Sequence, residues 1–154
     1  METTFLEDDV YAEIICDGIH LPPELLRLII KLKGTDKLCM ITDSMRAAGM
    51  PEGDYHLGAK EDGLECTVKN GVAYLRDMTA FAGSVATADR LVRVMHKTVG
   101  MPLPECIKMM CKNPAHVMHI TDRGQLKEGF LADIVIFDKD INIKEVIIEG
   151  EKLK

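Results

Sequence analysis

The chain has 154 residues, about the length of one domain, and its 47% hydrophobic and 29% charged residues form a globular mixture that excludes intrinsic disorder. Nineteen Lys and Arg against 25 Asp and Glu leave a formal charge of −6, so the sequence carries no basic footprint for a nucleic-acid backbone. Zero Trp and 5% aromatics likewise supply no stacking platform for single strands or sugar rings.

In chain order, the acidic start (Glu2, Glu7, Asp8, Asp9) lacks the basic and apolar regions of a signal peptide, and no apolar run approaches membrane-spanning length. The five cysteines include no Cys-x-x-Cys pair and mostly sit in apolar runs, which predicts buried free thiols. These features together predict a soluble cytoplasmic protein with no membrane and no nucleic-acid partner. Residues 10–16 and 38–42 are short apolar runs with little alternation, which suits strands buried on both faces. Between them Pro22 and Pro23 suit a first helical turn, Leu25, Leu26, Leu28, Ile29, Ile30 and Leu32 give a broad apolar face, and Gly34 stands at the stop. This is a βαβ unit, whose right-handed crossover makes the strands parallel and brings Asp17 and Asp43 out on the same sheet edge.

Residues 55–75 switch to strand chemistry, with Asn70-Gly71 as a hairpin turn between 65–69 and 72–75. From Ser84, read as an N-cap, Val85, Ala88, Leu91, Val92, Met95 and Val99 recur at helical spacing up to Gly100. Pro104 opens another helix, Asn113-Pro114 ends or bends it, and 115–120 reads as one more helical piece. Met45, Met95, Met109, Met110 and Met118 are expected to fill core space. Residues 132–138 and 145–148 read as strands, the second running into a turn at Gly150.

Asp17-Gly18-Ile19-His20 sets a carboxylate, a flexible residue and an imidazole directly after a buried strand, a composition suited to contacting a polar ligand, although Asp17 serves equally well as a turn-former. Asp43 follows the next strand and opens an irregular stretch, where a carboxylate over the sheet edge can act as a general base. His116 and His119 are three apart and would share a helical face, but no His-Glu-x-x-His pattern or third ligand accompanies them, and a basic helix end accounts for them.

Taken in order, Asp17-Gly18-Ile19-His20, Ile41-Thr42-Asp43, Phe81-Ala82-Gly83-Ser84, and Asn113-Pro114-Ala115 followed by Gly124-x-Leu126-x-x-Gly129-x-x-Ala132-Asp133-Ile134 resemble the C-terminal portion of the N-acetylglucosamine-6-phosphate deacetylase family, within the metal-dependent amidohydrolase superfamily. The resemblance covers the chain from about Asp8 onward. It implies an α/β fold: residues 1–122 would be the C-terminal part of a (β/α)8 TIM-type barrel, with its last two strands, an inserted hairpin and helices, and residues 123–154 the C-terminal strands of a small β-sandwich. It implies removal of acetate from N-acetylglucosamine 6-phosphate to give glucosamine 6-phosphate, as in amino-sugar catabolism. Asp43 would be the catalytic aspartate, which takes a proton from a metal-bound water and delivers it to the departing amine. Asp17, Gly18, Ile19, His20, Phe81, Ala82 and Gly83 would be substrate-binding.

The family's metal ligands (an early His-x-His, a glutamate and two further histidines) have no counterpart in this sequence, and neither does its phosphate-binding arginine. No residue here is therefore assigned to metal, and the divalent cation, zinc, belongs to the complete enzyme. The chain reads as less than half of that enzyme, inactive alone, with a small sugar phosphate as ligand. Unpaired barrel edges then predict either self-association or pairing with a missing N-terminal half. Two alternatives stay open: a non-catalytic amidohydrolase-derived binding or oligomerisation module, and a different amidohydrolase sharing the tail motif, such as a deaminase or a dihydroorotase-like enzyme.

Overall fold

The structure is a computed structural model and describes residues 2–59 and 62–153. A short helix α1 (Glu2–Leu6) leads into β1 (Ala12–Ile14), helix α2 (Pro23–Lys33) and β2 (Leu38–Met40). The two strands pair in parallel, Ala12 with Leu38 and Ile14 with Met40, so the βαβ unit forms as expected. Both strands are shorter than the apolar runs that contain them. The Asp17 carboxylate draws the chain into a turn by accepting the N–H groups of Ile19 and His20, and Asp43 turns the chain with a left-handed φ of 49°.

The stretch after β2 builds an antiparallel three-stranded sheet, β3 (Gly53–Leu57), β4 (Leu64–Lys69) and β5 (Val72–Leu75). Asn70 and Gly71 join β4 to β5 with φ of 53° and 69°, the two positive values that a tight turn matched to strand twist needs. Helix α3 (Ala88–Arg93) continues as a π-helical stretch, Val94–Val99, up to Gly100. Ser84 is not its N-cap. Thr87 holds that position, and Ser84 is instead drawn into a parallel bridge with Ser44.

Helix α4 (Leu103–Ile107) runs through a π-helical turn, Lys108–Lys112, into α5 (Asn113–Val117) without a break at Pro114. The Asn113 N–H bonds five residues back to Lys108 O, and this wider turn carries the proline, which has no N–H of its own to place. The helix stops at Val117 rather than Ile120, and His119 has a φ of 57°, so His116 and His119 share no helical face. The tail forms β6 (Ile134–Phe137), β7 (Ile143–Ile148) and β8 (Glu151–Lys152), an antiparallel meander.

The main core packs α2, α3 with its π-helical extension, and α4 against β1 and β2, through Ile14, Leu26, Leu38, Met40, Leu91, Met95 and Met109. A second cluster, Met45, Ala47, Cys66, Val68, Ala73 and Ala82, seats the three-stranded sheet on the loop after β2. Met118 departs from the expected core role and is 69% exposed, beyond the end of α5. All five thiols are free; four are buried, and Cys111, against expectation, is exposed, lining an apolar cavity between its helix and the C-terminal sheet. Asn113, although polar, is buried because its amide donates to Thr35 O at 2.8 Å and Leu38 O at 2.7 Å, tying the helix to the entry of β2. Among the described residues no helix is long and apolar enough to cross a membrane.

Candidate active site

The C-terminal ends of β1 and β2 lie side by side, and the candidate residues leave the sheet there. Asp17 is buried, its side chain 3% exposed. One oxygen accepts the Ile19 and His20 N–H groups, each at 2.9 Å, and the other meets His20 Nδ1 at 2.9 Å. Burial works against ionisation of this carboxyl, yet the two backbone N–H groups and the His20 ring outweigh it and hold the group below the usual aspartate range. An ionised carboxylate only accepts, so the shared proton sits on Nδ1 and leaves Nε2 as the open ring nitrogen.

The His20 ring packs on Phe81, with centroids 4.6 Å apart and planes tilted by 52°, and Phe81 in turn packs on Tyr74 of β5 at 5.6 Å. The segment carrying Phe81 is held by the three-stranded sheet, since Ala82 N–H donates to Ala73 O at 3.0 Å and Leu75 N–H to Ala80 O at 2.9 Å. The hairpin thus supports the segment whose Phe81 ring packs on His20.

Gly83 brings this segment to Asp43. A Cβ on Gly83 would stand 3.1 Å from Asp43 O and 3.9 Å from Asp43 Oδ2, so the bare glycine, at φ 65°, leaves the room beside the carboxylate. Ser84 N–H donates to Asp43 O at 2.9 Å, and Met45 N–H donates to Ser84 O at 2.9 Å. The Asp43 side chain is exposed and takes part in no hydrogen bond or ion pair among the described residues. A non-glycine residue in a left-handed conformation, with an uncommitted carboxylate at a strand end, is the kind of strained position that the surrounding structure must enforce.

Asp17, Gly18, Ile19, His20, Asp43, Phe81, Ala82 and Gly83 therefore come from separate parts of the chain to one sheet edge. Ile19 and Phe81 are exposed there, while Ala82 is buried in the second core cluster. Sequence reasoning missed the tie from Ser84 and Ser44 to this edge and the support from Tyr74. A contact across forty residues leaves no periodic mark, and the quoted Phe81-Ala82-Gly83-Ser84 segment was the one available signal. A separate apolar cavity of roughly 300 Å³ lies near the C-terminal sheet, with Val92, Met110, Phe137 and Val146 among its lining residues.

The profile of the amidohydrolase family matches residues 1–153. The chain belongs to the amidohydrolase family, and its mixed α/β domain is shared with solved members. It is 39% identical over 145 residues to N-acetylglucosamine-6-phosphate deacetylase from Lysinibacillus sphaericus, a match covering 94% of this chain and 36% of that protein. The crystal structure of N-acetylglucosamine-6-phosphate deacetylase from Thermotoga maritima superposes with a TM-score of 0.87 at 37% identity, over 97% of this chain and 40% of that one. An aspartate-to-alanine variant of the Mycobacterium smegmatis enzyme, solved in complex with N-acetyl-D-glucosamine-6-phosphate, superposes with a TM-score of 0.89 at 33% identity, over 97% of this chain and 39% of that one. The chain thus spans a little over a third of the length of these three relatives.

A catalytic metal of the type found in hydrolases is held by about three protein ligands. Among the described residues no group of three or more His, Cys, Asp or Glu side chains is placed to hold a metal ion. Asp43 offers one carboxylate at the sheet edge, so the residues present do not by themselves fit a metal centre.

Proposed function

We propose that this chain supplies the acid–base and sugar-binding edge of an enzyme that removes acetate from N-acetylglucosamine 6-phosphate, leaving glucosamine 6-phosphate. The observation that carries the reading is the exposed Asp43 carboxylate, free of internal bonds and set beside Gly83 and the His20–Phe81 pair. In the reaction a water oxygen bonds to the acetyl carbon and the carbon–nitrogen bond breaks. Asp43 takes a proton from that water and returns it to the nitrogen, so the amine leaves neutral and the carboxylate is regenerated. The open Nε2 of His20 accepts a hydrogen bond from a sugar hydroxyl, and the Phe81 ring covers the sugar's apolar face. Gly18 and Ile19 shape the loop beneath the ligand, Ala82 seats Phe81, and Gly83 keeps the approach to Asp43 clear. Asp17 acts through His20, because its own oxygens are already occupied.

The divalent cation of the complete enzyme, zinc in this reading, takes its ligands from outside these 154 residues. Residues 1–122 form the closing part of a (β/α)8 barrel and residues 123–154 the last strands of a small β-sandwich. Support for this division comes from the parallel β1–β2 pair, extended by the Ser44–Ser84 bridge, and from the antiparallel β6–β8 meander. The remainder of the barrel docks beside β1. One flank of α2 is used internally, Arg27 donating to Thr98 O and Val99 O, while the opposite flank exposes Leu25, Leu28 and Leu32 at 38%, 49% and 56%. That leucine stripe and the free edge of β1 together fit one more strand–helix unit. A charged sugar phosphate does not cross membranes unaided, which is consistent with a cytoplasmic enzyme.

The test is amine release from N-acetylglucosamine 6-phosphate with excess zinc, by the chain alone and mixed with the part of the Thermotoga maritima deacetylase that this chain does not match. Turnover in the mixture, abolished by Asp43→Asn, is the expected result. Turnover that survives Asp43→Asn, or a stable mixed complex that releases no amine, overturns the proposal.

A further inference from the structure

We propose that Ser84 is the positioning residue for Asp43, its buried hydroxyl and backbone clamping the strand end so that the aspartate backbone is fixed while its carboxylate stays uncommitted. This deepens the reading of Asp43 as proton carrier and rests on it. Ser84 is 1% exposed and lies far from Asp43 in sequence, across the parallel Ser44–Ser84 bridge. Its Oγ donates to Thr42 O at 2.5 Å and accepts Ala86 N–H at 3.0 Å. Its N–H donates to Asp43 O and its carbonyl accepts Met45 N–H, each at 2.9 Å. The Ser44 hydroxyl adds a bond to Ala86 O.

The residues before, at and after the turn are therefore each tied to one short segment, while no bond reaches the Asp43 side chain. That division has a chemical reason. A carboxylate that must both take and give a proton works best with its own oxygens uncommitted, so its position has to be set through the main chain. Asp43 lies in a backbone region that a non-glycine residue holds only when its surroundings over-determine it. Cutting the hydroxyl out of Ser84 removes both the donor to Thr42 O and the acceptor for Ala86 N–H. An alanine there leaves the Thr42 carbonyl, just before the turn, and the buried Ala86 N–H, on the facing segment, without their partner.

The experiment compares Ser84→Ala and Ser84→Thr in the full chain by site-resolved amide hydrogen exchange, and by amine release in the assay above. The expected result for Ser84→Ala is exchange at least tenfold faster at Met45 and at residue 84, with Ile41, bonded to Ile14 O in the neighbouring β1–β2 ladder, keeping its protection. Ser84→Thr, which keeps an Oγ, restores slow exchange. In turnover, Ser84→Ala lowers kcat at least tenfold with KM unchanged, and Ser84→Thr recovers it. Unchanged exchange at Met45 overturns the proposal, as does equal loss of protection at Met45 and Ile41, which would mark a merely structural role. Turnover insensitive to Asp43→Asn would instead sink the proton-carrier reading while the exchange data still report on the clamp.

Discussion

Replacing Asp17 by Asn tests the link between a buried carboxylate and the state of the His20 ring. Asn keeps one oxygen for the two backbone N–H groups of Ile19 and His20, but sets an amide nitrogen or a second, wrongly placed donor against His20 Nδ1, where the carboxylate oxygen stood at 2.9 Å. Hydrogen bonds to a charged acceptor contribute about 1.5–3 kcal/mol and neutral ones about 0.5–1.5 kcal/mol. Three weakened bonds are partly offset by the smaller cost of burying a neutral amide, so the substitution costs about 1–2 kcal/mol. Asp17→Ala loses all three bonds and costs about 3–5 kcal/mol. In a domain of this size about 1 kcal/mol moves Tm by roughly 2–4 °C, so the Asn variant melts roughly 2–8 °C lower and the Ala variant lower still. The sharper readout is the ring. With a donor facing it, Nδ1 must accept, and the proton moves to Nε2. Nitrogen-15 shifts of the His20 ring, recorded at alkaline pH, should show a bare Nε2 in the parent chain and a protonated Nε2 in Asp17→Asn. A bare Nε2 in both proteins would refute the reasoning, as would an Asn variant as unstable as the Ala variant.

Acid should expose the same carboxylate. Asp17 is held below its ordinary range in the folded chain, so its contribution to stability is complete above the unfolded value of about 3.9 and is lost as pH falls through the lowered folded value. Urea midpoints measured on falling below about pH 4 should therefore decline more steeply for the parent chain than for Asp17→Asn. Asn113→Ala leaves Leu38 O and Thr35 O without their donor and costs about 2–4 kcal/mol; Asn113→Asp, which offers those carbonyls no donor at all and a charge besides, costs more, and urea unfolding ranks the two. Gly83→Ala must hold a side chain at φ 65° with its Cβ 3.1 Å from Asp43 O, so it costs about 1–2 kcal/mol and disturbs the Asp43 amide, visible as a shift in the Ser84 and Asp43 backbone resonances.

The leucine-rich α2, the Asn70-Gly71 hairpin and the β-rich tail were legible because each is specified within about a dozen residues. The apolar stripe of α2 runs between its prolines and Gly34, and the hairpin needs two adjacent residues that tolerate positive φ. Strand length was less legible. The apolar runs around β1 and β2 continue past the points where Asp17 and Asp43 turn the chain, because hydropathy does not register a carboxylate that captures nearby N–H groups or a backbone that enters the left-handed region. Helix ends failed for a related reason. Pro114 reads as a breaker, yet the bond from Asn113 N–H to Lys108 O widens the turn enough to carry it, and the helix then stops before His119.

Asp17, His20 and Asp43 stood out in the sequence by residue type and position, Gly83 only through the family resemblance, while the tie that Ser84 makes to Asp43 was hidden, and Ser84 shows why. Read locally, a serine a few residues before a helical run is a cap, and nothing nearby contradicts that. In the fold a better use is open to it, because the end of β2 arrives with Thr42 O and Asp43 O pointing toward it and Met45 N–H seeking an acceptor. Thr87 stands at the helix start without a side-chain cap bond, so the helix has given up a cap while the sheet edge has gained a clamp. Local propensity favours capping by about 1 kcal/mol, and three or four bonds at a buried bridge outweigh it. Where a short polar residue has both a local and a long-range use, the long-range one prevails when it satisfies several buried backbone groups together, and such residues mark where a fold has committed to holding one side chain in place.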